Sequence, residues 1–95
     1  MSASPALALF QAVGVELEYM IVDREDLSVL PCSDRLLQSV AGSYESEIEL
    51  GELAWSNEVV LHVVELKTNG PRASLAGLSS LLAHDVERIN RLLWP

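Results

Sequence analysis

Apolar and polar residues alternate through "VGVELEYMIVD", residues 13–23. In an extended chain that alternation puts Val13, Val15, Leu17, Tyr19 and Ile21 on one face. Gly14, Glu16, Glu18, Met20 and Val22 fall on the other. The acidic run "DRED" ends this predicted strand, and "LSVLP" reads as a short returning one. The period then changes. In "SDRLLQSVAG" the apolar Leu36, Leu37 and Val40 follow helical spacing, with Ser33 as expected N-cap and Gly42 closing the helix. "SYESEIELGELAWSN" alternates glutamates with small or apolar residues and reads as a weak strand or a loop. "EVVLHVVELKT", residues 58–68, is dense in valine and gives the strongest strand signal, stopped by "NGP". From Ser74, leucines, Val86 and Ile89 recur at spacings of three and four up to Leu93. That predicts an amphipathic helix of about five turns.

This order predicts an α+β fold, an antiparallel or mixed sheet backed by helices. No repeat, low-complexity tract or linker divides the chain, so residues 1–95 are expected to form a single segment, with 1–12 loosely ordered. The apolar stripe of the last helix continues into "LLWP". More protein is expected to follow it.

Composition narrows the partners. About half the chain is apolar (49%), enough for a core, and the formal charge is −8. Binding to nucleic acid or to an anionic membrane surface needs the opposite sign. An acidic chain suits cations or basic partners, although an acidic face is often only a solubilising one. A single cysteine, Cys32, allows no internal disulfide and fits a reducing, cytoplasmic setting. With no histidine and cysteine cluster around it, it reads as a small buried hydrophobe rather than a nucleophile. No stretch reaches the roughly 18 to 20 apolar residues of a membrane span, and the first residues lack the features of a signal peptide.

The glutamates carry the chemical question. Glu16 and Glu18 share a strand face about 6–7 Å apart, where two charges repel unless water or a cation intervenes. Magnesium or manganese is a natural counter-charge, since hard cations prefer carboxylate oxygens. The plainer alternative is the solvent face of a half-covered sheet. Glu65 sits amid Val63, Val64 and Leu66 and needs a partner, for which Lys67 on the same face is one candidate. Glu58 and His62 have the opposite parity to Glu65 and join its face only through a bulge. His62 reads more simply as a packed histidine, His84 as an exposed one, and Trp55 and Trp94 as core or interface anchors. There is no glycine-rich phosphate loop, no CxxC, no HExxH and no nucleophile elbow.

Taken together, Gly14-Val15-Glu16-Leu17-Glu18 and Glu65-Leu66-Lys67-Thr68, followed by a turn and a long helix, resemble the N-terminal part of the bacterial glutamate–cysteine ligase and carboxylate–amine ligase-like family. The resemblance covers about residues 13 to 93. It implies part of a glutamine-synthetase-like catalytic domain, in which carboxylates on an antiparallel sheet hold magnesium or manganese against ATP. It further implies joining of a carboxylate, activated as an acyl phosphate, to an amine. The substrates would be amino acids or other small carboxylates and amines. Glu16, Glu18 and Glu65 would then be metal ligands, with Glu58 as a fourth.

The chain departs from the resembled pattern in two places. An acidic residue four positions before Glu65 is often found there, but Leu61 holds that position and Glu58 lies seven before. The later histidine and arginine elements have no counterpart in these residues. An isolated chain is therefore expected to be inactive, and its expected partners are the remainder of the catalytic domain or a homo-oligomer. The alternative is a non-catalytic interaction module that oligomerises through its sheet edges.

Overall fold

The computed structural model describes residues 11–57 and 60–94. Its elements are β1 (Glu16–Met20), α1 (Ser33–Ala41), β2 (Glu47–Leu50), β3 (Leu53–Asn57), β4 (Val63–Thr68) and α2 (Leu78–Leu93). The strands form one sheet in the order β1-β4-β3-β2, every pair antiparallel. The class is α+β, as the period changes along the chain imply.

Strands β2, β3 and β4 follow one another as a meander, and β1 returns to the far side of β4. Residues 47–57, ambiguous between strand and loop, form a hairpin. Gly51 and Glu52 make its turn between the paired Leu50 and Leu53, with Gly51 at φ 77°. Glycine reaches that conformation at little cost, which is why the polar run can reverse there.

One face of the sheet is covered. Ile48, Trp55, Val64 and Leu66 point to it and pack with Leu36 and Leu37 of α1 and Ile89 of α2 in a single core. Trp55 is fully buried, and its indole Nε1–H donates to Asp85 Oδ2 at 2.8 Å. The ring thus gains burial while its one polar atom is satisfied. The guanidinium of Arg88 lies over the same ring, 5.2 Å being the corresponding distance of Arg24 over Trp94 and 5.4 Å that of Arg88 over Trp55.

Several local expectations shift. The residue capping α1 is Cys32, and Ser33 is the first helical residue, its hydroxyl buried without a hydrogen-bond partner among the described residues. Gly42 closes α1 as expected, in the left-handed region with its N–H donating to Gln38 O. "LSVLP" supplies only an isolated bridge, Val22 to Val29. Aspartate side chains hold the intervening turn locally: Asp23 accepts from Glu25 N and Asp26 from Ser28 N. Those local bonds take the place of a strand ladder.

Strand β4 begins at Val63, later than the valine density suggests, because residues 60–62 turn into it. Helix α2 begins at Leu78 rather than Ser74. Arg72 donates to the carbonyls of Ser74 and Ala76, and Gly77 at φ 76° precedes the helix. Of the segment 1–12 only Gln11 and Ala12 fall among the described residues.

Candidate functional site

The second face of the sheet carries the glutamates. Its residues follow from the register: Glu16 and Glu18 on β1 lie opposite Lys67 and Glu65 on β4, which lie opposite Ala54 and Ser56 on β3. Beyond them Glu49 and Glu47 on β2 complete two rows across the sheet. Strand parity therefore gathers Glu16, Glu18, Glu65, Glu47 and Glu49 on one side.

The ladder decides how close two of them stand. Thr68 N donates to Val15 O at 3.0 Å, and Ile21 N to His62 O at 2.7 Å. The odd-numbered residues of β1 thus turn their backbone groups towards β4. Glu18 and Glu65 form a non-hydrogen-bonded pair, the kind in which Cα atoms approach to about 4.5 Å and side chains lie closest. Glu16 and Glu18 are exposed, whereas Glu65 is only 8% exposed. The start of β1 is also fastened by a side chain: Val15 N donates to Thr68 Oγ1 at 3.1 Å.

Lys67 is committed elsewhere than its neighbour in sequence suggests. It shares the face with Glu65, but its ammonium pairs with Glu47 of β2. To do so it must cross β3, and the two β3 residues on that face, Ala54 and Ser56, are small and buried. The hydrogen bond to Glu47 raises the Lys67 ammonium above its usual range. Partial desolvation opposes this, and the charges of Glu47, Glu65 and Glu16 reinforce it. Lys67 is thus a positive centre set among carboxylates.

The remaining candidates separate from this face. Glu58 lies outside the described residues. His62 has the parity of Val64, on the helix-covered side, and its carbonyl serves the ladder to Ile21. His84 is exposed on α2, its Nδ1 3.3 Å from Asp85 Oδ1. Trp94 is exposed at the end of α2 rather than in the core. Burial raises the Cys32 thiol, the direction opposite to an activated nucleophile. Glu47 and Glu49 share the face through the β2–β3 register. Their signal was present in "SEIEL", which repeats the spacing of Glu16 and Glu18.

The donor set is made only of carboxylate oxygens on adjacent rigid strands, the chemistry that suits a hard divalent cation. Among the described residues no three such side chains converge on one point. Glu16 and Glu18, both exposed, would have to swing towards Glu65 to share an ion. No helix among the described residues is long and apolar enough to cross a membrane.

A protein of Archaeoglobus fulgidus, described as uncharacterized, is 32% identical to this chain over 77 residues. The match takes in 81% of this chain and 21% of that protein, so the chain spans about one fifth of its relative's length. No family model matches the chain, and no solved structure does.

Proposed function

We propose that this chain is the cation-binding strand portion of an ATP-dependent carboxylate–amine ligase of the glutamate–cysteine type, working within a longer protein. One observation carries the proposal: Glu18 and Glu65 face each other as a non-hydrogen-bonded pair on the open side of the sheet, with Glu16 beside them. The two sequence elements that resemble the ligases are thereby neighbours in space. The match to a relative several times longer is in keeping with a partial catalytic domain.

Glu16, Glu18 and Glu65 would hold magnesium or manganese, which when bound neutralises and orients the phosphates of ATP. The part this chain plays is positional. Strands β1 and β4 fix the carboxylates at a set spacing, and the Val15–Thr68 bond holds the start of β1 against β4. Lys67, held by Glu47, moderates the mutual repulsion of the glutamates when no cation is present.

The test is ADP release by the complete protein, dependent on an added amine and on magnesium. Loss of that activity in Glu18→Gln, with the fold retained, is expected. Turnover near wild type would remove the acidic face from the reaction.

A further inference from the structure

The outer edge of β1 pairs with no other strand among the described residues. Because odd-numbered residues of β1 face β4, the backbone N–H and C=O groups of Glu16, Glu18 and Met20 point out along this edge. An open row of that kind is a template for another strand. Each side of the edge has its own chemistry. On one side stand the carboxylates of Glu16 and Glu18, both exposed. On the other, Leu17 is exposed, and the next residue on that face, Tyr19, lines an open, largely apolar groove with Leu82, Ala83 and Val86 of α2, bordered by Glu87 and Asn90.

We infer that this edge accepts an extended segment of a partner carrying lysine or arginine at alternate positions and apolar residues between them. Alternate side chains of an added strand fall on opposite faces of the sheet. Its basic residues would lie beside Glu16 and Glu18, and its apolar ones would enter the groove against Tyr19, Leu82 and Val86. Charge disfavours a second copy as the occupant in the registers that pair the glutamates most fully. Antiparallel pairing of β1 with itself centred on Leu17 sets Glu16 against Glu18, and centring it on Glu18 sets that residue against its own copy. Like charges directly opposite are unfavourable. Strand β2, the other edge, also bears glutamates at alternate positions. Its Ile48, however, is already buried in the core.

The test is an NMR titration of the 95-residue chain in the presence of a chelator, so that no divalent cation competes for Glu16 and Glu18. The probe is a blocked Lys-Val-Lys-Val-Lys peptide. Binding is expected to slow amide exchange at Glu16, Glu18 and Met20. A peptide with glutamate in place of lysine, and one with the same residues in Lys-Lys-Lys-Val-Val order, should not do so. Glu18→Lys should weaken binding about fivefold, from the replacement of a favourable cross-strand pair by a repulsive one. Ala83→Glu, on the exposed surface of α2, should weaken it without touching the sheet. Glu49→Lys, on the far edge, should leave it unchanged. Equal binding of the acidic or rearranged peptide, protection at β2 instead of β1, or no protection at all would overturn the inference. A chain that self-associates through β1 under these conditions would overturn it as well. Because no cation takes part, the outcome does not depend on the ligase proposal.

Discussion

Glu18 of β1 stands directly across the sheet from Glu65 of β4, on the face that the helices leave open. Two carboxylates in a non-hydrogen-bonded pair are an unfavourable neighbourhood for both charges. Evolution of a sheet for stability alone would favour an opposite-charge pair at that point. The adjacent row has one, Glu16 opposite Lys67. The like pair is what a cation site would require.

On the proposed ligase reading, Glu65→Gln and Glu18→Gln in the complete protein are expected to lower amine-dependent ADP release by about a hundredfold or more, because each would remove a charged ligand of the proposed cation. In Glu18→Gln, whose carboxylate is exposed, stability should fall little or rise, since one member of a like-charged pair becomes neutral. Activity and thermal unfolding measured on the same preparations separate the two effects. Loss of activity accompanied by unfolding would mean a structural role instead.

Lys67 gives a pH dependence of defined sign. Pairing with Glu47 raises its folded-state pKa above the usual 10.5. A group raised on folding binds its proton more tightly in the folded state. Its stabilising contribution is complete below the unfolded value and fades as pH climbs through the folded one. The stability difference between wild type and Lys67→Met should accordingly be constant from neutral pH to about pH 10 and shrink above that. Urea denaturation at several pH values checks this. A difference that grew with alkaline pH would refute the pairing.

Trp55→Phe keeps most of the buried ring but removes the donor to Asp85, leaving a largely buried carboxylate oxygen without its bond. The expected cost is about 1–3 kcal/mol by chemical denaturation. Asp85→Ala in the Trp55→Phe background should cost much less than in the wild type, because the two changes remove one interaction.

Gly51→Ala tests the hairpin. Nothing lies within 4 Å of an added Cβ, so space is not the issue, but φ of 77° disfavours a side chain. A loss of about 1 kcal/mol is expected from the backbone alone. An unchanged midpoint in urea would mean that the turn relaxes to another form.

Strands β1 and β4 and helix α2 were readable from the sequence because their apolar periods run long enough to outweigh local noise. The β2–β3 hairpin was not. Glu47 and Glu49 alternate with Ile48 and Leu50, yet such a short strand bearing two charges resembles a loop until β3 pairs with it. The partner of Lys67 was also hidden. Nearness in sequence favours Glu65, whereas the pairing with Glu47 depends on small residues at 54 and 56 and on a strand order that no local pattern encodes. The acidic face was half legible. Glu16, Glu18 and Glu65 stood out by pattern, and Glu47 and Glu49 joined them only once the register was known. At Ser33 the usual capping preference misplaces the start of α1 by one residue, since the hydroxyl is turned into the protein instead of towards the helix end.

Sheet edges also bear on association. Both edge strands carry glutamates at alternate positions, Glu16 and Glu18 on β1 and Glu47 and Glu49 on β2. Edge-to-edge pairing of identical copies sets like charges together in the registers that overlap the glutamates, which disfavours those forms of the oligomer through sheet edges. Light scattering is expected to show a monomer at low ionic strength, where charge repulsion is least screened.

The most direct measurement is a manganese titration followed by NMR, reading paramagnetic broadening at each backbone amide. Broadening centred on Glu16, Glu18 and Glu65, removed by magnesium and abolished in Glu18→Gln, is the expected result. Broadening spread evenly over the acidic surface, or unaffected by Glu18→Gln, would contradict a cation site on this face and with it the ligase proposal.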